Sequence, residues 1–315
     1  MAKGKVLKLR KDVPATWEEA LQQFLFWKQG EQKSKRTIED YRYHISRFFK
    51  LFPEAYNSRN LKRYVLEYMA MECKPATFNL RLTYLKAFFS WAVREGIFPE
   101  NPLEGMRRRK DEGRIVDVDT ETLQRLLSLP DKSTFSGLRD YALLLLTLDT
   151  GIRPSEAFSL LVDDFNLKNL EVTIRRENAK TRETRTLPIL PVTANAVRDL
   201  IAARHPAWKK TVPVFCTREG TPMNRHSWND RMEMYSRKLG VKIWPYALRH
   251  AFALTYIRNG GYELGLQRTL GHTSLSMTRR YVNLTQADLR EMNTAASPLN
   301  SLIPQRHRAG KVKRK

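Results

Sequence analysis

Three short segments put cationic or reactive side chains where one structural element ends and another begins. In Thr150-Gly151-Ile152-Arg153-Pro154-Ser155-Glu156 a guanidinium stands at the start of a helix. In Trp244-Pro245-Tyr246-Ala247-Leu248-Arg249-His250, Pro245 fits a first helical turn, and Tyr246, Arg249 and His250 share one face. In the stretch from Leu270 to Tyr281, Gly271 ends one helix, Ser274 can cap the next, and nine positions separate the His272 imidazole from the Tyr281 phenol. Arginine's planar fork of donors suits paired phosphate oxygens better than lysine's point charge. A phenol becomes a nucleophile once it loses its proton. Taken singly, each feature has a plainer reading: a surface ion pair for Arg153, packing for Tyr281, a helix cap for His272. Their order along one chain is what points to a site.

The overall charge points to the same class of partner. The 315 residues carry a formal +23, with 42% hydrophobic and 28% charged residues, so the chain is long and apolar enough for two ordinary domains and needs a polyanionic partner, nucleic acid first. Both ends are basic: Lys3, Lys5, Lys8, Arg10 and Lys11 at one, Arg306, Arg308, Lys311, Lys313, Arg314 and Lys315 at the other. Such tails are ordinarily solvated, but they hold only about half of the excess. No stretch approaches the roughly 20 apolar residues that span a bilayer, and the N-terminus lacks a signal peptide's apolar core. Cys73 and Cys216 have no Cys or His at ligand spacing, so neither a disulfide framework nor a zinc site is expected, and a reducing, cytoplasmic setting fits.

Elements that could position the three segments follow from periodicity. Four amphipathic helices fill the first third. Thr16 and Glu19 make a capping-box signature before Trp17, Leu21, Phe24 and Leu25; a second helix starts near Thr37 with Ile38, Tyr41, Ile45, Phe48 and Phe49; a third spans about 60–71; a fourth, about 76–94, carries Phe78, Leu82, Leu85, Phe88, Phe89 and Ala92. The aromatic stripes read as their common core. Pro99, Pro102 and Gly105 then break the pattern ahead of Arg107, Arg108, Arg109 and Lys110, a basic linker able to lie along a phosphate backbone or to stay solvated. Beyond it come helices at 119–129 and 138–148, and a helix after Arg153 carrying Ala157, Leu160 and Leu161. An antiparallel hairpin of 170–176 and 185–190 follows, then helices with one extended segment at 212–216. The fold expected is mainly α with a small antiparallel β-hairpin or sheet. Its parts are a basic tail (1–15), a helical DNA-binding domain (16–103), the linker (104–113), a catalytic domain (114–285), and a C-terminal helix with a basic tail (286–315).

In this order the segments resemble those of the tyrosine recombinases, the phage-integrase and Xer-type family of site-specific DNA strand-exchange enzymes. The resemblance covers the whole second domain, and the helical region before it is similar to the family's core-binding domain. Carried over position by position, it implies that Arg153 and Arg249 are the two catalytic arginines, Lys180 the hairpin lysine, His272 the second histidine and Tyr281 the nucleophile. Lys168, Arg182 and Arg185 are the other cations that could take the hairpin role. One position departs: Tyr246 stands where the family usually has histidine, and a phenol, with a reference pKa of about 10, can donate a hydrogen bond to phosphate but is a poor cation at neutral pH. His250 is expected to buttress the site rather than touch phosphate.

The implied chemistry explains the residue types. Phenolate attack on a phosphodiester gathers charge on two non-bridging oxygens, which the arginines would clamp and His272 would join. Lys180 would protonate the departing 5′ oxygen, and Tyr281 would hold the 3′ phosphate in a bond that stores the energy for rejoining, so no metal, ATP or other cofactor is implied. The partners implied are double-stranded DNA with specific recombination sites and a homo-tetramer on two duplexes, with no membrane, in a prokaryote-like cytoplasm at the nucleoid. Three rivals stand beside this reading: a type IB topoisomerase, which shares the chemistry; a metal-dependent transposase or nuclease, whose carboxylate cluster could draw only on Asp163-Asp164 among adjacent pairs in the second domain; and a non-catalytic DNA-binding protein. Duplex binding should be steep in salt, log affinity falling by about 0.9 per decade of salt for each phosphate neutralised. A flat salt titration would contradict the electrostatic reading.

Overall fold

Thr16 opens helix α1 (Trp17–Gly30) by accepting the Glu19 N–H at 3.3 Å. The Glu19 carboxylate reaches back one residue further than a capping box requires, to the Ala15 N–H at 2.9 Å. Helix α2 (Lys35–Leu51) starts two residues ahead of the sequence expectation because Ser34 caps it, its hydroxyl accepting from the Thr37 N–H. Helices α3 (Leu61–Ala70) and α4 (Pro75–Arg94) follow, α4 with a proline in its first turn. The stripes converge as their periodicity requires: Phe24, Phe48, Phe49, Tyr68, Phe88 and Phe89 are fully buried. Phe88 meets Phe24 and Phe49 edge to face at centroid distances of 5.5 and 5.8 Å, the arrangement that ring quadrupoles favour.

The computed structural model describes residues 13–57, 59–111, 117–179, 181, 183–279, 281–282, 290, 293–294 and 297–302. It divides into two compact units, Met1–Gly113 and Arg114–Lys315. Within the first, the basic stretch is docked rather than loose. The Asn79 amide both donates to the Arg109 carbonyl and accepts its N–H, each at 2.9 Å. Arg108 donates to Thr83, and the Arg109 guanidinium lies 4.0 Å above the Phe78 ring, a cation–π contact.

The second unit is built around α6 (Phe135–Thr150), whose Ala142, Leu143, Leu144 and Leu146 are wholly enclosed. Helices α5 (Thr120–Ser128), α8 (Pro191–Ala202), α9 (Arg225–Leu239) and α10 (Pro245–Arg258) surround it. Two helices, α11 (Glu263–Leu270) and α12 (Leu275–Arg279), complete the part that carries the third segment. An antiparallel sheet lies in the order β1 (Phe165–Asn166), β2 (Glu171–Ile174), β3 (Arg185–Pro188), with Val172 opposite Leu187.

Two local expectations are corrected. The helix after Arg153, α7 (Pro154–Ala157), is a single turn, because the Leu160 carbonyl leaves the helical path to accept the Val214 N–H at 2.8 Å. Segment 212–216 is correspondingly no strand: it forms that loop contact and one isolated bridge, Cys216 to Pro222. Strand β1 has two residues, too few to show alternation. Most of the expected helix at 286–292, and Ile303, lie outside the described residues; a single turn at Leu299–Leu302 leaves Leu299 and Leu302 largely exposed. Among the described residues no helix is long and apolar enough to cross a membrane, and both cysteines are free.

A buried polar knot ties α6 to α9. Asp140, with no exposed surface, accepts from Arg139 at 2.7 and 3.0 Å and from the Tyr235 hydroxyl at 2.8 Å, and it also pairs with Arg231. Burial first, and Asp140 second, push the Tyr235 phenol well above its ordinary pKa. Removing one member of such a pair strands a buried charge, so Asp140→Ala should destabilise the second unit by about 3–5 kcal/mol. Urea unfolding measures this, and a loss below about 1 kcal/mol would contradict it.

Candidate active site

The three segments meet at the ends of helices. Gly151 caps α6 and Gly271 caps α11, each in the left-handed conformation, with φ +61° and +60°. A side chain at Gly151 would also collide with Phe252 and Leu270 at 2.4 and 2.6 Å. Helix ends carry partial negative charge on unsatisfied carbonyls, and two buried arginines fill that need. Arg249, 3% exposed on α10, donates to the Gly151 carbonyl and to the Leu270 carbonyl at 2.8 Å. Arg153, 5% exposed, donates to the Gly271 carbonyl at 3.0 Å.

Glu156 compensates part of this charge. Wholly buried, it accepts from Arg153 at 3.0 Å and from both terminal nitrogens of Arg185, the first residue of β3. Burial would raise its pKa, but the hydrogen bonds and charges of Arg185 and Arg153 outweigh burial and hold it below the usual carboxylate value. The guanidiniums still exceed the carboxylate. Burial, and then repulsion from Arg153, pull the Arg249 pKa down to about 10. Such a cluster is a prepared anion site: donors fixed in place, partly desolvated and lacking negative charge.

His272 and Tyr281 complete the cluster. The His272 Nε2 lies 3.2 Å from Arg249 Nη2 and its Nδ1 2.9 Å from the Thr278 hydroxyl. Arginine can only donate, so Nε2 accepts and the ring proton sits on Nδ1, donated to Thr278. Burial, followed by repulsion from Arg249, Arg153 and Arg185, lowers the His272 pKa to about 4. Tyr281, 7% exposed, is packed with Ala253, Ile257, Leu266 and Leu270 of α10 and α11. Its ring stacks parallel to His272 at 6.5 Å, and its hydroxyl lies 2.8 Å from His250 Nδ1.

The structure thus brings Arg153, Arg249, His272, His250 and Tyr281 together. Tyr246 stays at the margin, 38% exposed, its ring 6.4 Å from that of His250. Lys180 lies outside the described residues. Arg107, Arg108, Arg109 and Lys110 belong to the other unit. Among the described residues no cluster of acids, histidines or cysteines could hold a metal, and Asp164 is engaged by Arg175. Sequence reasoning missed Glu156, Thr278 and the role of Arg185 as a partner of Glu156. The one available signal was an acid at i+3 from Arg153 inside a cationic segment.

Residues 117–288 match the phage integrase family, and residues 21–96 match the N-terminal SAM-like domain of phage integrases. The tyrosine recombinase XerC of Myxococcus xanthus is 30% identical over 237 residues, covering 71% of this chain and 77% of that protein. The tyrosine recombinase XerA of Pyrococcus furiosus is 29% identical over 293 residues, covering 90% and 96%. In fold, the chain is similar to the Tn1549 transposon integrase solved in complex with transposon right end DNA: TM-score 0.69, 19% identity, 88% of this chain and 99% of that one.

The lowered His272 pKa carries a sign. Between the ordinary value of about 6.5 and the folded value of about 4, the unfolded chain binds a proton that the folded chain refuses. Stability should therefore fall as pH drops from 6.5 toward 4, and His272→Gln should flatten that part of the profile. Denaturation midpoints across the window measure it; parallel profiles for the two proteins would contradict the lowered pKa.

Proposed function

Since the chain belongs to the phage integrase family and is a tyrosine recombinase that cleaves and rejoins DNA at specific sites, we propose how its own residues divide that work. The observation that carries the assignment is a run of contacts between segments far apart in sequence: Arg153 with the Gly271 carbonyl, Arg249 with His272, and His272 stacked on the Tyr281 ring. Tyr281 attacks the scissile phosphate, joins the 3′ phosphate and releases the 5′ oxygen. Arg153 and Arg249 clamp the non-bridging oxygens with N–H groups beyond those already bound to Glu156 and the helix-end carbonyls. His272 joins them as a third donor: an arriving anion offsets the repulsion that keeps its pKa low. Lys180, on the hairpin turn, protonates the departing 5′ oxygen. Tyr246 takes the place of the family's histidine as a neutral donor at the edge of the phosphate.

The phosphotyrosine conserves the bond energy for rejoining to another 5′ hydroxyl, so the cycle needs neither metal nor ATP. The substrate is duplex DNA, and exchange between two duplexes calls for four protomers, a homo-tetramer assembled on paired sites. Arg107, Arg108, Arg109 and Lys110 follow the DNA backbone; the docking of Arg108 and Arg109 on α4 supports this, because it fixes those charges on a rigid surface. This substrate sets the place of action in a prokaryotic cytoplasm, at the nucleoid.

On a nicked duplex carrying its site, the wild-type protein should form a covalent adduct in excess chelator, and two short duplex sites should yield recombinant products. Tyr281→Phe should abolish the adduct while half-site affinity stays within about twofold, since one hydroxyl is minor beside the phosphate contacts that dominate binding. An adduct persisting in the variant would overturn the nucleophile. Relaxation of supercoils without joined partners would favour the topoisomerase class.

A further inference from the structure

Tyr246 stands where the resemblance would supply a histidine, and the roles assigned above leave open what removes the Tyr281 proton. We infer that His250 is the general base: its Nδ1 takes the proton from the Tyr281 hydroxyl during attack and returns it during rejoining. The inference rests on the recombinase reading above and adds to it a catalytic residue.

Geometry singles out His250. Its Nδ1 and the Tyr281 oxygen lie 2.8 Å apart, within direct proton-transfer reach, and the two rings are inclined by 44° at a centroid distance of 5.6 Å. His250 follows Arg249 directly on α10, so one rigid helix carries both a phosphate clamp and the base. Among the described residues, the other groups at the site are bound elsewhere. His272 offers Tyr281 the face of its ring; its Nε2 lone pair is taken by Arg249 and its Nδ1 proton by Thr278. Glu156 is bound by two guanidiniums. Tyr246, a neutral phenol, has no basic lone pair to match an imidazole's.

The step balances. With the ring proton of His250 on Nε2, the Nδ1 lone pair accepts the phenol proton as the O–H bond of Tyr281 breaks. The phenolate oxygen forms its bond to phosphorus, and the bond from phosphorus to the 5′ oxygen breaks, leaving its electron pair on that oxygen, which the hairpin acid protonates. His250 is then an imidazolium. In rejoining, an incoming 5′ hydroxyl gives its proton back to that acid and bonds to phosphorus. The phosphorus–Tyr281 bond breaks, and the phenolate recovers its proton from His250. Nothing outside the site is consumed.

The test uses the full chain and two nicked duplexes, one normal and one with sulfur in the bridging 5′ position, a leaving group that needs no acid. His250→Asn keeps a hydrogen-bonding oxygen near Nδ1 but cannot take a proton. It should bind a half-site within about twofold of wild type and form the adduct on the order of 100-fold more slowly on both duplexes. Imidazole added to His250→Ala should restore part of the rate, an outcome that does not depend on how asparagine fits. Adduct formation by His250→Asn within about threefold of wild type would overturn the assignment. So would recovery on the sulfur duplex, which would move His250 to the leaving group. A wild-type protein that forms no adduct on either duplex would overturn the recombinase reading itself, and this assignment with it.

Discussion

The site depends on one constraint: the guanidiniums of Arg153 and Arg249 are buried almost completely, and each must find acceptors there. A buried charge survives only when paired and hydrogen-bonded. Here the acceptors are the carbonyls of Gly151, Leu270 and Gly271 and the carboxylate of Glu156. Because those carbonyls end α6 and α11, the arginines join three stretches of chain that lie between 21 and 118 positions apart. The same contacts that stabilise the helix ends fix the direction of the remaining N–H groups. Positional precision at the site is therefore a by-product of satisfying the backbone, and the left-handed glycines are what expose those carbonyls to the arginines.

How much of this is legible in the sequence depends on which partner an interaction uses. Side chains that pack on side chains leave a period, so Phe24, Phe48, Phe49, Phe88 and Phe89 are readable as a core and their helices follow. Residues that do chemistry leave a type and a spacing, which is how Arg153, Arg249, His272 and Tyr281 stand out. Backbone acceptors leave neither. Nothing in the residues at 160 or 214 announces that the Leu160 carbonyl will pair with the Val214 N–H, end the helix after Arg153 within one turn and keep 212–216 out of a strand. The site has the same blind spot. Arg153 was readable as a donor, but its tie to Gly271 was not, and nothing in type or spacing beyond the i+3 step from Arg153 set Glu156 apart. Its importance comes from Arg185, which reaches it from a strand 29 positions away.

Two imidazoles flank one phenol, and their surroundings separate their roles. His272 is turned edge-on to guanidiniums, which makes its cationic form costly until an anion arrives. His250 lies with its Nδ1 2.8 Å from the phenol oxygen. Two residues of one type can thus take different parts within a few ångströms, because a different neighbour faces each ring: Arg249, which can only donate and so sets the His272 tautomer, and Tyr281 for His250.

The charge of the cluster is matched to the transition state rather than to the resting chain. Among the described residues, the guanidiniums of Arg153, Arg249 and Arg185 outnumber the Glu156 carboxylate in this cluster. A phosphodiester brings one negative charge, and an attacking phenolate brings the second. The helix-end carbonyls hold the guanidiniums against their mutual repulsion, bound DNA relieves part of it, and as the Tyr281 proton passes to His250 negative charge gathers on the phosphate oxygens that the arginines face. Fixed donors in a site of low dielectric lose little by waiting, since no solvent has to reorganise when the charge appears. That order, repulsion between like charges first and its greatest relief when charge gathers on the phosphate oxygens, favours the reacting state over the bound one, which is the condition for binding energy to become rate.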